Sequence, residues 1–375
     1  MPLIALWIVL GFWAALLALA IVERRSLGSV PAASPPADAP RVAVIVPARD
    51  EAHQIEACLR SLLAQDWPDL RVVCVDDRSS DGTAQVAEGI RDPRLTVVLG
   101  RELPEGWLGK NHANAQGVRA AGPADWYLFT DADTVHAPHA ISTALAAAQR
   151  RGVAMVSFFT RMVLDNFWDR ALLTSAISAI VAVFPTFIVN DRRFKLAIAN
   201  GQFILVRRDA YEAVGTHAAI RDRVADDLEL ARLVKHGGHG LWVADGRGFV
   251  AVRMYRDLSG IWWGFVKNAT AGAGGVHRVL LGAAAMLFSV LPFAALPWAL
   301  AAGDGNAAAL AAAGIGVAYA QRLLVYSSIF DVRLGYALLL PLGQLMLAGI
   351  FVHSAWRQLT GKGPLWKGRA YPAAR

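Results

Sequence analysis

The sequence predicts a parallel α/β domain that apolar helices at both ends of the chain attach to a membrane. Of the 375 residues, 55% are hydrophobic and only 18% are charged, and the mean hydropathy is +0.38. That composition is too apolar for an ordinary soluble protein, and it excludes disordered and collagen-like chains. In the polar middle of the chain, short β-branched runs alternate with helical stretches, which is typical of a parallel sheet covered by helices.

Charge and cysteine content narrow the range of partners. Thirty-seven Lys and Arg against 30 Asp and Glu give a net charge of +7, but much of the surplus flanks apolar segments. We therefore interpret it as a membrane-topology signal and expect no nucleic-acid partner. Cys58 and Cys74 fall in a predicted helix and a predicted strand, and they offer neither a disulfide framework nor a zinc site.

Residues 1–25 are predicted to form an N-terminal transmembrane anchor. The uncharged run from Leu3 to Val22 is long enough to cross a hydrocarbon core of about 30 Å. A secretory signal peptide is the alternative, but its apolar region would be about 7–15 residues long and would follow a basic start. Residues 26–40 contain four prolines and no aromatic residue, so we expect a linker that cannot bury a core.

Residues 41–275 are predicted to form the folded α/β domain. Strands are expected where β-branched residues dominate, and helices in the longer stretches between them. In order, these are strand 41–46, helix 51–66, strand 71–76, helix 82–91, strand 95–99 and strand 126–130. In open α/β sheets the ligand crevice lies beyond the carboxyl ends of the strands, so acidic residues at those ends are site candidates.

Membrane composition returns after residue 275. Residues 276–356 are expected to form two or three transmembrane helices, and a basic tail, 357–375, follows without an acidic residue. The candidate spans are 279–301, a weaker Ala-rich stretch from Ala307 that Gln321-Arg322 interrupts, and 334–352.

Two carboxylates end the second predicted strand. Asp76 and Asp77 precede a Ser/Asp/Gly turn, where they could hold a ribose or the edge of a base. The structural alternative is that Ser80 or Asp81 caps the following helix.

Two further acidic pairs follow along the chain. Asp131 and Asp133 come directly after strand 126–130, and carboxylates so placed can share Mg²⁺ or Mn²⁺, which would in turn bind phosphate oxygens. Asp226 and Asp227 open an amphipathic helix. The helix dipole alone would explain acids in that first turn, but Asp227 could also serve as a general base.

With these motifs in order, the sequence resembles the family 2 glycosyltransferases of the GT-A fold over nearly the whole chain. The matching motifs are Pro47-Ala48-Arg49-Asp50-Glu51, Asp76 to Thr83, Asp131-Ala132-Asp133 and Ala225-Asp226-Asp227. Three further segments are similar to membrane glycosyltransferases associated with hopanoid and carotenoid glycolipids. They are 103–110, 199–203 before Arg207-Arg208, and 366–371.

The resemblance implies a role for each matching residue. Asp227 would be the catalytic base, and Asp131 with Asp133 would hold Mg²⁺ or Mn²⁺. The nucleotide-sugar donor, expected to be a UDP-sugar, would be bound by Pro47, Arg49, Glu51, Asp76, Asp77, Lys110 and Asp131. Residues expected near the acceptor or a phosphate are Asn200, Gly201, Gln202, Asp226 and Lys267.

One departure from the family narrows the expected reaction. Processive polysaccharide synthases carry Q-x-x-R-W after the base motif, whereas residues 261–268 here read IWWGFVKN. We therefore expect inverting transfer of a single sugar to a lipid hydroxyl, with Lys267 as a possible substitute for the missing Arg. A polyprenyl-phosphate sugar transferase and a non-catalytic nucleotide- or lipid-binding membrane protein are the alternatives.

Basic residues predict the topology. Arg24-Arg25 after the first span predicts an outside amino terminus and a cytoplasmic catalytic domain at the cell (inner) membrane, in a multi-pass protein. The basic tail is also expected inside. That would require an even number of crossings after residue 275, whereas three candidates exist.

The apolar segment 171–189 lies between the metal motif and the base. If it crossed the membrane once, Asp133 and Asp227 would lie on opposite sides of the bilayer and could not share a substrate. Aromatic and basic residues flank the segment, so we predict an interfacial or re-entrant element that receives the lipid acceptor. A buried core helix is the alternative.

Overall fold

The computed structural model describes residues 3–330, 332–363, 365–366 and 369–370, and its chain divides into two compact units. The first, called the sheet unit, comprises 27–163 and 186–254. The second, called the helix unit, comprises the chain up to Ser26, Leu164–Pro185 and the chain from Tyr255 onward. The predicted motif at 366–371 and the predicted tail, 357–375, both lie partly outside the described residues.

The strands of the sheet unit form two sheets. In chain order they are β1 (Val42–Ala48), β2 (Leu70–Asp76), β3 (Leu95–Leu99), β4 (Trp126–Phe129), β5 (Thr134–His136), β6 (Met155–Phe159), β7 (Arg161–Met162), β8 (Ile204–Arg207), β9 (Leu241–Asp245) and β10 (Val250–Val252). The larger sheet has the order β3-β2-β1-β4-β8-β6-β9, and only β8 runs antiparallel to its neighbours in it. The smaller sheet has the order β5-β10-β7.

Helices cover the sheet and build the helix unit. In chain order they are α1 (Leu3–Ser26), α2 (Ile55–Leu63), α3 (Thr83–Glu88), α4 (Gly109–Ala121), α5 (Ala140–Arg151), α6 (Thr174–Val183), α7 (Thr186–Val189), α8 (Arg208–Ala213), α9 (Asp226–His236), α10 (Leu258–Ala273), α11 (Val276–Ser289), α12 (Leu291–Ala302), α13 (Gly305–Ile329) and α14 (Leu340–Leu359). A π-helical turn, Asp169–Leu173, leads into α6, and 3₁₀ turns cover Thr216–Ala218 and Leu334–Leu339. A short pair, Leu365–Trp366 with Arg369–Ala370, ends the described chain.

Strand β1 lies in the middle of the parallel part of the larger sheet because its side chains are apolar on both faces. Val44 and Val46 join a core that α2 and α5 close on one face. On the other face, α4 approaches so closely that a Cβ at Gly117 would lie 2.4 Å from Ile45 Cγ2. A strand buried on both faces reads as a continuous hydrophobic run, which is why its sequence predicted it well.

The proline-rich segment 27–40 packs along the sheet unit. Val30 is only 6% exposed and joins the core, and the Ala33 N–H donates to Thr143 Oγ1 over 3.2 Å. The segment expected to be a linker without a core of its own therefore contributes one side chain to the core of the sheet unit. An extended proline-rich chain has few conformations to lose, so a single aliphatic side chain can dock at low entropic cost.

The helix unit contains every helix of the described chain that is long and apolar enough to cross a membrane. These are Leu3–Ser26, Val276–Ala302, Gly305–Ile329 and Leu334–Leu359. Within the unit, the Trp13 indole in α1 donates to the Ser289 carbonyl at the end of α11 over 3.0 Å.

The unit boundaries differ from the predicted 41–275 domain. The sheet unit ends at Met254, and α10 belongs to the helix unit. So does 164–185, whose helical part runs from Asp169 to Val183 before a break at Phe184-Pro185. At a rise of about 1.5 Å per residue this helix is about 22 Å long, which is short for a single crossing.

Gly117→Ala tests the close packing of α4 on the sheet. Ile45 Cγ2 is fixed by a buried strand and cannot move away, so we expect overpacking to lower the free energy of unfolding by about 1–3 kcal/mol, although alanine is the better helix former. Gly248→Ala is the control because nothing lies within 4 Å of its new Cβ. Denaturant unfolding in detergent measures both, and equal stability of the two variants would contradict the packing described.

Candidate functional site

The carboxyl ends of β1 and β2 place the first motif at one edge of the sheet. Ala48 is paired with Asp76 in the register, so Arg49 and Asp77 lie side by side beyond the strands. Arg49 Nη1 donates to the Asp77 carbonyl over 2.6 Å and lies 4.0 Å from its carboxylate. Asp76 Oδ1 is buried and has no hydrogen-bond partner among the described residues. The edge therefore holds a buried acceptor that a ligand could satisfy.

The following turn is tied to the loop after β1 by short polar contacts. Asp50 Oδ1 accepts from the Ser80 N–H over 2.8 Å, and Asp81 Oδ2 accepts from the Ala52 N–H over 2.9 Å. Asp50 is left-handed, with φ of 51°, a strain that asparagine, aspartate and glycine tolerate best. The N-cap position of α3 is Gly82, but the Asp81 side chain does part of the capping, because its Oδ1 accepts from the Thr83 N–H over 3.0 Å. Asp81 therefore supports the start of the helix and also connects the two loops.

Lys110 lies at the start of α4 and connects the second and third acidic motifs. Its Nζ lies 2.8 Å from Asp131 Oδ1 and 3.4 Å from Asp226 Oδ2. Burial disfavours the ammonium charge, but the carboxylates outweigh it and raise the pKa of Lys110 above its ordinary value. The group is therefore a permanent cation between two loops.

Asp133 is a buried carboxylate in the second acidic motif. Its Oδ1 is buried without a hydrogen-bond partner in the described chain. Burial, and then the charges of Asp131 and Glu51, hold the pKa of Asp133 well above its ordinary value. A divalent cation would remove both penalties, so Asp131 and Asp133 fit a metal as a pair. Among the described residues, no group of three or more His, Cys, Asp or Glu side chains is placed so that it could hold a metal ion.

Asp227 is held at the amino end of α9. Its Oδ2 accepts from the Gly201 N–H over 3.1 Å, and its Oδ1 accepts from the Leu228 N–H over 2.7 Å. Burial and the neighbouring Asp226 raise the pKa of Asp227 to about 6, against the opposing effect of Lys110. A carboxylate with a pKa near 6 is ionised at neutral pH and is still a useful proton acceptor.

Gly201 lies where the metal motif meets the base motif. A Cβ at this position would lie 3.0 Å from Lys110 Nζ, and 3.5 Å from both Asp131 Oδ2 and Asp227 Oδ2. The predicted residues Lys110, Asp131, Gly201, Asp226 and Asp227 are thus brought together. A small cavity lies among these residues, and Pro47 lines it together with Lys110, Asp131, Gly201 and Asp226.

Other predicted residues have different surroundings. Asn200 Nδ2 donates to Gln202 Oε1 over 3.0 Å, and Gln202 is 4% exposed and hydrogen-bonded to Thr160 Oγ1. These two side chains therefore brace the loop from within. Lys267 lies in α10 of the helix unit, outside the sheet unit that contains the other site residues.

A group of buried polar side chains on and around α4 was not predicted from the sequence. Asn111 Nδ2 donates to the carbonyls of Ile220 (2.7 Å), Arg221 (3.3 Å) and Arg223 (2.9 Å), and so holds the loop that precedes Asp226. Further along, His217 bonds to Asn114 over 3.2 Å and lines the cavity with it. The sequence feature that could have indicated these buried contacts is the pair Asn111 and Asn114, which are three residues apart and so share one face of the helix.

A solved structure with a similar fold is the mannosyltransferase PcManGT from Pyrobaculum calidifontis in complex with GDP-Man and Mn²⁺. Its TM-score is 0.59 at 22% identity, over 95% of this chain and 99% of that chain. The sheet topology, this fold similarity and the long apolar helices define a membrane-associated α/β protein of the GT-A fold class, as the sequence predicted.

Residues 43–215, a little under half of the chain, match the sequence profile of Glycosyl transferase family 2. The predicted resemblance to this family is therefore confirmed over these residues. Similar curated proteins are the 4,4'-diaponeurosporenoate glycosyltransferases of Staphylococcus aureus strains USA300 and bovine RF122 / ET3-1. Each is 28% identical over 244 residues, and the alignment covers 64% of this chain and 64% of the relative's length.

Asn111→Ala tests the support beneath the base motif. Removal of the amide breaks three hydrogen bonds. The carbonyls of Ile220 and Arg221 keep the backbone N–H donors of Arg223 and Leu108, but the Arg223 carbonyl loses the Asn111 donor, so we expect the free energy of unfolding to fall by about 1–3 kcal/mol. Gln85→Ala, an exposed amide on α3, is the control and should cost no more than about 0.5 kcal/mol. Denaturant unfolding measures both. A small effect at Asn111 would mean that the loop is held by other contacts.

Proposed function

We propose that this protein is an inverting glycosyltransferase that transfers one sugar from a nucleotide-diphosphate sugar to a lipid hydroxyl at the cytoplasmic face of the cell membrane. The observation that carries the proposal is the single cluster in which Lys110 joins Asp131 to Asp226, beside Gly201 and Asp227. The family 2 domain, the apolar helices and the carotenoid-related relatives support it.

The donor nucleoside would bind at the edge formed by Arg49, Asp76 and Asp77, with Glu51 and Pro47 beside it. Asp76 Oδ1 offers an acceptor to a ribose hydroxyl or a base N–H. Lys110 would face the diphosphate, since its ammonium is fixed among the acidic residues. UDP-sugars are the first donors to test, and GDP-sugars the second because PcManGT was solved with GDP-Man.

Asp131 and Asp133 would hold Mg²⁺ or Mn²⁺. Bound there, such an ion would neutralise the growing negative charge of the diphosphate leaving group. PcManGT was solved with Mn²⁺, which makes manganese a sensible first choice.

Asp227 would take the proton of the acceptor hydroxyl as that oxygen attacks the anomeric carbon from the face opposite the diphosphate. The N–H groups of Gly201 and Leu228 fix the carboxylate, so it is oriented before the acceptor arrives. A single displacement with one base inverts the anomeric centre.

The acceptor would approach along 171–189. Its helical part is buried at the start and open at its apolar end, where Val183 is 62% exposed. A membrane lipid is the occupant that such a surface suits. A polyprenyl phosphate remains the second candidate, and that acceptor would need no base.

Metal binding is expected to appear in thermal unfolding as well as in activity. Mn²⁺ at about 100 times its Kd should stabilise the wild type by about 2.7 kcal/mol and raise Tm by several degrees. Asp133→Asn should show no such shift in Tm and should transfer only traces of sugar. In the presence of chelator its Tm should be higher than that of the wild type, because one of the buried negative charges is gone. Asp222→Asn, at an exposed position, is the charge-matched control. Full turnover in excess chelator would contradict the metal assignment.

Asp227→Asn should lower kcat by about 10²–10⁴-fold and leave donor affinity within about threefold. For the wild type, kcat/KM should rise with pH through about 6 and level off above it, because the base works only when ionised. Glu229→Gln on the same helix is the control. Loss of nucleotide binding in Asp227→Asn would make the residue a donor ligand, and retained transfer would favour a phosphate acceptor.

Ala179→Asp and Val183→Asp test the acceptor surface. A charge there should strongly reduce transfer to the native lipid but not to a short water-soluble analogue. Leu281→Asp, on an exposed apolar position of α11, controls for any general effect of an added charge. Equal loss on both acceptors would indicate a core helix, and no loss on either would refute both interpretations.

A further inference from the structure

We propose that Arg322 is a positioning residue that fixes the helix 169–183 for the lipid acceptor, an inference that rests on the proposed function. Arg322 lies on α13, a helix apolar enough to span a membrane, yet its side chain is only 1% exposed. From Arg322 to the end of α13 is about 10 Å along the helix axis, so the charge lies within the apolar length of the span.

The guanidinium is bonded to one turn of a single neighbouring segment. Nη2 donates to Thr174 Oγ1 over 2.6 Å and to Ser175 Oγ over 2.9 Å. Nη1 donates to the Thr174 carbonyl and to Ser178 Oγ, both over 3.2 Å. The residues at 174, 175 and 178 face α13 together because three or four residues make one helical turn.

Tyr326 completes the clamp one turn further along α13. Its hydroxyl donates to the Arg170 carbonyl over 3.1 Å, and its ring lies 4.6 Å from the Arg322 guanidinium carbon. The Arg170 carbonyl belongs to the π-helical turn, where the regular hydrogen-bond pattern is interrupted. Arg322 and Tyr326 therefore form hydrogen bonds to both the π-helical turn and the first turn of α6.

Stability alone is a weak explanation for such a charge. Every hydrogen-bond partner of Arg322 among the described residues is a neutral oxygen, and its Nε has none. Charges within membrane spans are costly, and apolar packing would commonly serve stability as well or better. The guanidinium instead fixes the position and orientation of the neighbouring helix, because its planar set of N–H donors can bond to these oxygens in only one arrangement.

The placement matters because the gripped helix has two different halves. Residues 171–177 are buried. Residues 178–182 are only partly buried and, apart from Ser178, apolar, and Val183 at the open end is 62% exposed. Holding the buried half determines where the open half lies. In the proposed reaction, that open half is the surface that receives the lipid acceptor.

The experiment combines a distance measurement with acceptor kinetics on the full chain in nanodiscs. Spin labels at Val183→Cys and Leu345→Cys report the position of the helix end, since the native cysteines are buried. Arg322→Met removes the charge, Arg322→Lys keeps it without the fork, and Arg278→Met on the exposed start of α11 is the matched control.

We expect Arg322→Met to broaden the distance distribution and to raise KM for the lipid acceptor about tenfold, with kcat within twofold. KM for the water-soluble analogue should not change, and Arg322→Lys should be intermediate. An unchanged distance distribution, or equal loss on both acceptors, would overturn the proposal. If the wild type transfers no sugar, the proposed function fails, while the distance measurement still decides whether Arg322 holds the helix.

Discussion

The acidic cluster of the sheet unit depends on one ammonium group, that of Lys110, whose positive charge offsets several carboxylates. Asp131 and Asp226, far apart in sequence, both lie within ion-pair distance of Lys110. Without a cation, Asp131 and Asp226 would repel each other, and Asp227 would be harder still to ionise. Lys110 supplies that cation from the first turn of α4, and Gly201 leaves it the space to do so. The close approach of the acidic loops is thus a balance of charge before any ligand is considered.

Lys110 does not neutralise every carboxylate of the cluster, which is compatible with a glycosyltransferase site that binds a further cation. Lys110 pairs with Asp131 and Asp226, whereas Asp133 keeps a buried oxygen without a partner and a raised pKa. Under the proposed function, a divalent ion would relieve this cost, and the relief would contribute to its binding. Functional sites commonly retain such local instability because removing it would remove the function.

Much of the sheet and its acidic edge could be predicted from the sequence, because these features depend on local patterns. β1 and β2 are β-branched runs that end in the motifs, and parallel pairing then brings the motifs together. The burial of α4 could not be predicted, since Asn111 and Asn114 resemble residues of a solvated helix until the loop at 220–223 and His217 supply partners. Nor could Val30 be assigned to the core, because the other residues of that core come from strands and helices later in the chain.

Arg322 shows the same limit within the apolar helices. In the sequence, Gln321-Arg322 only weakens a candidate span. The structure gives the arginine its partners from Thr174, Ser175 and Ser178, about 150 positions earlier in the chain, and no local pattern relates the two segments. Hydroxyl-bearing residues in an apolar segment are one signal that could have suggested a polar partner nearby.

The central claim is that these acidic motifs form one catalytic site for sugar transfer to a lipid. The most direct test is to incubate the purified full-length protein in nanodiscs with a panel of UDP- and GDP-sugars and a membrane lipid extract, and to identify the products by mass spectrometry. The account predicts a new lipid heavier by one sugar residue, formed from one donor class. A protein that binds a nucleotide-sugar but yields no glycolipid from any donor would contradict it, as would a ladder of products with many sugars.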